Sequence, residues 1–113
     1  MEEQERRRHQ RYETLNLVYY VVRDDGSELS QDMGRTLDAS EQGLLIETRI
    51  PLIEGLHLKM DIALGDTILN LSGEVVHTHS ADSGMHVSGV EFDPLDEKTH
   101  TLLKEFLRHF DPV

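Results

Sequence analysis

Residues 56–64 read LHLKMDIAL, and in them Leu56, Leu58, Met60, Ile62 and Leu64 alternate with His57, Lys59, Asp61 and Ala63. A period of two puts every second side chain on one face of an extended chain, so the stretch is a strand with one buried and one solvated face. Outward from it, strand and turn signals recur in both directions. On the C-terminal side, the turn at Gly65-Asp66 leads into a long strand over 67–79, and the loop 80–84 into a last strand over 85–92. On the N-terminal side, residues 51–55 break the chain after GLLIET (43–48), and a turn at 39–42 separates that strand from another over 33–38. The first strand is TLNLVYYVVR (14–23), rich in Val, Leu and Tyr, which runs into the hairpin signal Asp24-Asp25-Gly26. Six short antiparallel strands in one small chain point to a barrel, because closure removes the exposed edges of an open sheet.

After the strands the period changes. In DPLDEKTHTLLKEFLRHF (93–110), Asp93 is placed as N-cap, Pro94 suits the first helical turn, and Asp96 and Glu97 complement the positive end of the helix dipole. Leu95, Leu102, Leu103, Phe106, Leu107 and Phe110 then fall on one stripe at helical spacing, which lays the helix on the barrel. The expected fold is mainly β: a small antiparallel six-stranded barrel with a C-terminal helix. At 113 residues the chain is expected to form one domain over 12–113, preceded by a flexible basic arm over 1–11 too polar to fold alone.

Composition narrows function. Twenty-two acidic residues against 11 basic ones give a formal net charge of −11, which argues against binding to polymeric nucleic acid, since that needs an extended basic surface. No apolar run is long enough to span a membrane, and the opening MEEQERRRHQ lacks the apolar core of a signal peptide, so a cytoplasmic location is expected. The absence of cysteine removes disulfides, thiolate metal sites and a cysteine nucleophile. No nucleophile, metal-hydrolase or phosphate-loop motif is present, so no enzyme is expected. Against this background RRRHQRY (6–12) packs four arginines into six residues. So local a cluster suits a small anion.

Arg7 and Arg11 stand four residues apart, and 27 residues after Arg11 comes Asp38, which opens DASEQG with Ser40 and Gly43. Asp and Ser side chains either cap backbone groups in a turn or offer an acceptor and a hydroxyl to a ligand. Gly43 supplies a conformation or a close approach that a side chain would block. The two elements together resemble the PilZ domain, the bacterial receptor module for cyclic di-GMP, whose signature is RxxxR followed by [D/N]xSxxG. Gly89-Val90-Glu91-Phe92 looks like the GVxF that ends the last barrel strand in this family, and the resemblance runs over about residues 6–110.

The resemblance implies a ligand, cyclic di-GMP, and no cofactor. Arg7 and Arg11 would clamp it from the arm, Asp38 and Ser40 would address a guanine from the barrel, and Gly43 would let the turn close against it. Arg6 is a further candidate, because in this family the preceding residue bears on whether one ligand molecule or a stacked pair binds. The chemistry fits the residue types. A guanidinium fork matches either a phosphate or the adjacent O6 and N7 acceptors of guanine, and a carboxylate accepts from guanine N1 and N2. The implied function is a stand-alone receptor or adaptor in the bacterial cytoplasm that alters the surface offered to an unidentified partner protein, as monomer or homodimer. The alternative is an interaction module of the same fold with weak or no nucleotide binding.

Plainer readings stand beside these. An arginine-rich terminus is commonly a solvated tail, Arg8 matches no motif position, and Asp38 and Ser40 on their own would be turn caps. His77, His79 and His86 have a spacing from which a metal site could be built, but histidines on a solvated strand face are far commoner, and no metal is expected.

Overall fold

The computed structural model describes residues 10–24, 27–64 and 66–113. In chain order these form β1 (Tyr12–Glu13), β2 (Leu17–Asp24), β3 (Ser27–Ala39), β4 (Gly43–Thr48), β5 (His57–Leu64), β6 (Thr67–Ser80), β7 (His86–Phe92) and α1 (Glu97–Leu107). The ladder runs β3-β2-β5-β6-β7-β4, and β4 pairs back onto β3, so six antiparallel strands close into a barrel with β1 added beside β3. The expected barrel and C-terminal helix are therefore what the chain forms. Closure depends on the 13 residues of β3, which pairs with β2 from Ser27 to Arg35 and with β4 from Arg35 to Ala39.

Alternation fills the interior. Val18, Tyr20 and Val22 of β2, Leu58, Met60 and Ile62 of β5, and Leu69, Leu71 and Val75 of β6 point inward with Leu44 and Ile46 of β4. All are buried, each contributing roughly 1.5–3 kcal/mol by removal from water. Leu103, Phe106 and Leu107 of α1 join the same cluster, flanked by the partly buried Leu95, Leu102 and Phe110. Among the described residues, every buried side-chain polar atom has a hydrogen-bond partner, and no helix is long and apolar enough to cross a membrane.

Three boundaries differ from the sequence expectation. The second barrel strand starts at Ser27 rather than Met33, because SELSQD, which has no apolar alternation, is held by its ladder with β2. The first strand is split. Glu13 faces Asp38 and Leu17 faces Arg35, so Thr14, Leu15 and Asn16 lie opposite only Thr36 and Leu37. The extra residue is absorbed at Leu15, whose φ of 48° lies in the left-handed region. Thr36 stitches the break: its hydroxyl accepts from Thr14 Oγ1 at 2.8 Å and from the Asn16 amide at 2.9 Å.

The helix cap is also corrected. Asp96, not Asp93, is the N-cap, and its carboxylate accepts from the Thr99 amide at 2.7 Å. Asp93 is still tied to the barrel: its amide donates to the Ser72 carbonyl at 2.9 Å, and its carboxylate lies 3.2 Å from His57 Nε2. Pro94 accordingly precedes the helix.

Candidate functional site

The turn between β3 and β4 is built by its own polar residues. The Ser40 amide donates to the Gly43 carbonyl at 2.8 Å, and the Ser40 hydroxyl accepts from the Gln42 amide at 3.1 Å. Ser40 is buried, so in this structure its hydroxyl serves the turn. Gly43 faces Glu91 across the β4–β7 ladder, where a Cβ would collide with the Val90 carbonyl oxygen. The close approach that requires glycine here is to a neighbouring strand.

Asp38 comes from the end of β3, flanked by Glu13 of β1 and Leu45 of β4. Its Oδ1 accepts from Arg11 Nε at 2.9 Å and also from Arg11 Nη2. The second arginine of the N-terminal motif and the first residue of the turn motif, far apart in sequence, thus form an ion pair. Arg7 and Arg6 lie outside the described residues. Of the arginines expected at the site, Arg11 is the one whose position is described.

Arg11 also borders a surface cleft of about 440 Å³ on the outer face of β4, β7 and β6. Gln42, Gly43 and Leu45 form one side, and Val76, His77, His79 and Gly89 another. Asp38 and Ser40 do not line it. The volume falls within the roughly 300–1,000 Å³ of small-ligand sites. His77 and His79 present near-parallel rings, with centroids 6.5 Å apart and an interplanar angle of 17°. Gly89 gives His77 its place, since a Cβ there would collide with the imidazole.

These histidines stand on a solvated strand face, as the sequence reading prefers; what their i, i+2 spacing does not show is that this face walls the cleft. In β6, Val75 pairs with Val90 and His77 with Gly89, leaving Val76 as an extra residue. Without that bulge His77 and His79 would continue the inward series of Leu69, Leu71 and Val75. With it both are exposed, and Thr78 turns inward to accept from the buried Ser88 hydroxyl at 3.1 Å. Among the described residues, no group of three or more His, Cys, Asp or Glu side chains is arranged to hold a metal.

A second cleft, of about 520 Å³, lies beyond the same turn and is lined by Glu41, Glu91, Asp93 and His100 among others. His100 Nε2 of α1 sits 2.7 Å from Glu41 Oε1, which fastens the turn to the helix. Glu91 borders both clefts; the second adds the carboxylates of Glu41 and Asp93, which disfavour an anionic ligand, whereas the first adds the guanidinium of Arg11, which favours one.

Fold and site together define a class: a small closed barrel in which Arg11, just ahead of β1, pairs with Asp38 beside a Ser/Gly turn and borders an exterior cleft. A sequence model of the PilZ domain matches residues 5–109, and the chain belongs to that family. Solved structures agree on the fold. The PilZ domain with c-di-GMP of YcgR from Escherichia coli superposes with a TM-score of 0.69 at 15% identity, covering 93% of this chain and 91% of that one. The Bacillus subtilis inhibitor of motility, MotI/DgrA, gives 0.70 at 14% identity over 91% of this chain, which spans 50% of its length. The PilZ domain of CeSA from a cellulose-synthesizing bacterium gives 0.65 at 17% identity, over 88% and 95% of the two chains. Comparison with proteins of curated function finds no match.

Proposed function

We propose that this protein is a cyclic di-GMP receptor that acts by binding rather than catalysis, with the nucleotide held between the N-terminal arginines and the outer face of the barrel. The observation that carries this reading is the meeting of Arg11 with Asp38 beside a cleft whose other walls include His77 and His79. Two of the five N–H donors of a guanidinium suffice for the pair with Asp38, which leaves donors for a phosphate or a guanine edge. Arg7 adds a second cation from the arm, and Arg6 a third where a stacked pair of nucleotides binds. Asp38 accepts from the N1 and N2 donors of a guanine, while Ser40 and Gly43 hold the turn in the shape that presents it. The imidazoles of His77 and His79 offer flat faces to a base. The neighbour bound to c-di-GMP supports the ligand assignment.

Output follows from ordering. An arm over 1–11 drawn onto the barrel by the nucleotide gives the domain over 12–113 a new surface for a partner protein in the bacterial cytoplasm. Titration of the purified chain with cyclic di-GMP tests the reading: saturable binding is expected, reduced by Arg7→Ala and by Arg11→Ala. A chain that shows no binding is the interaction module instead.

A further inference from the structure

The motif accounts for Arg11 but not for what holds it. Arg11 directly precedes β1, a strand of two residues, and Leu15 with its positive φ follows it closely. One edge of β1 is taken by β3, through Tyr12 opposite Ala39 and Glu13 opposite Asp38. The other edge is taken by the segment after the helix. The Glu13 amide donates to the Asp111 carbonyl at 3.1 Å, Tyr12 bridges antiparallel to Pro112, and the Val113 amide donates to the Arg11 carbonyl at 2.9 Å. Residues 111–113 therefore lie along the outer edge of β1, with a hydrogen bond on the backbone of Arg11 itself.

The path of this segment is fixed from the helix side. Phe110 packs against the core and meets Phe106 edge-on, with ring centroids 4.8 Å apart. Tyr12 packs against the same core, so β1 and the tail are anchored to one apolar surface. Without the tail, β1 would be a two-residue edge strand with one ladder, too short to fix the backbone from which Arg11 projects. With it, the guanidinium starts from a backbone held on both sides.

We propose that residues 111–113 form a strap that positions Arg11 for the nucleotide, and that cleft occupancy is in turn reported to the C-terminal end of the helix. The proposal rests on the receptor reading above. Reciprocity follows from linkage: if the strap favours binding at Arg11, a bound nucleotide must favour the strap by the same factor.

Two variants of the full chain separate the strap from the fold. Val113→Pro removes the amide that reaches Arg11, at a side chain 67% exposed, and deletion of residues 111–113 removes the whole edge. Affinity for cyclic di-GMP should fall about threefold to tenfold in the first and about tenfold or more in the second, with hydrogen exchange at the Glu13 amide accelerated in the deletion. In an Arg11→Ala background the same changes should cost less than about twofold, because the strap acts through that side chain. Adding nucleotide to the wild type should slow exchange at the Val113 amide. A wild type that binds while both variants match it overturns the strap alone, as does an equal loss in the Arg11→Ala background. A wild type that binds no cyclic di-GMP overturns the receptor reading and the strap with it.

Discussion

Within the turn motif, residues of similar appearance have different work. Ser40 and Gly43 build the turn, and Asp38 holds the arginine. The atom that a Cβ at Gly43 would meet is a backbone carbonyl in the β4–β7 ladder, which cannot swing aside as a side chain would. Gly43→Ala should therefore lower the unfolding free energy by about 1–3 kcal/mol in urea titrations; an unchanged midpoint would show that the ladder yields. Arg11→Ala should behave in the opposite way. Its ion pair with Asp38 is partly solvated, with the arginine side chain 41% exposed, so its share of stability is about 0–1 kcal/mol. A charge-assisted contact to nucleotide is worth roughly 1.5–3 kcal/mol, so cyclic di-GMP affinity should drop about tenfold to a hundredfold with little change in Tm. Arg7→Ala should show the same split, and affinity equal to wild type in both variants would remove the arginines from the site.

Among the elements, the helix start and β6 show how neighbours choose between local options. Two aspartates compete to cap α1, and Asp96 takes the position because Asp93 is still hydrogen-bonded to β6. The hydrogen bond from the Thr99 amide holds the Asp96 carboxyl below its usual value. A depressed pKa in the folded state means that the cap stabilises above the unfolded value of about 3.9 and is lost as pH falls through the folded one. Asp96→Ala should lower Tm by a few degrees at pH 7, with the gap to wild type closing as the pH falls below the usual carboxylate range. Asp93→Ala should leave helix content by circular dichroism unchanged. In β6 the bulge at Val76 sets the cleft wall, since one residue more or less exchanges the faces of every later side chain.

For the whole molecule, closure by β3 pairs the barrel strands on both edges, and the proposed receptor takes this barrel as the fixed partner of the arm. Residues 2–8, EEQERRR, carry no apolar side chain, so on the proposed reading little but the nucleotide offsets the roughly 1–2 kcal/mol of backbone entropy lost per residue on ordering. Hydrogen exchange should show protection over residues 2–11 gained mainly on adding cyclic di-GMP. β5, paired on both edges, should be protected throughout, and so should the Glu13 amide before any ligand is added. An arm equally protected with and without nucleotide would mean a preformed site, and ordering would then not be how the signal is passed on.

The alternation of residues 56–64, the turn residues and the change of period at the helix are local properties, written along the chain, and they determined a barrel with one C-terminal helix. The paired motifs likewise named the family. What they left open depends on facing relations. The split at Leu15, the bulge at Val76 that sets His77 and His79 beside the cleft, and the use of Gly43 against Val90 all follow from the register between strands distant in sequence. So does the segment on the outer edge of β1, which brings residues 111–113 to Arg11. Periodicity tells each strand that it has two faces; only the closed barrel decides which neighbour each face and each edge will meet, because register is set by pairing across the whole sheet and not by any one segment.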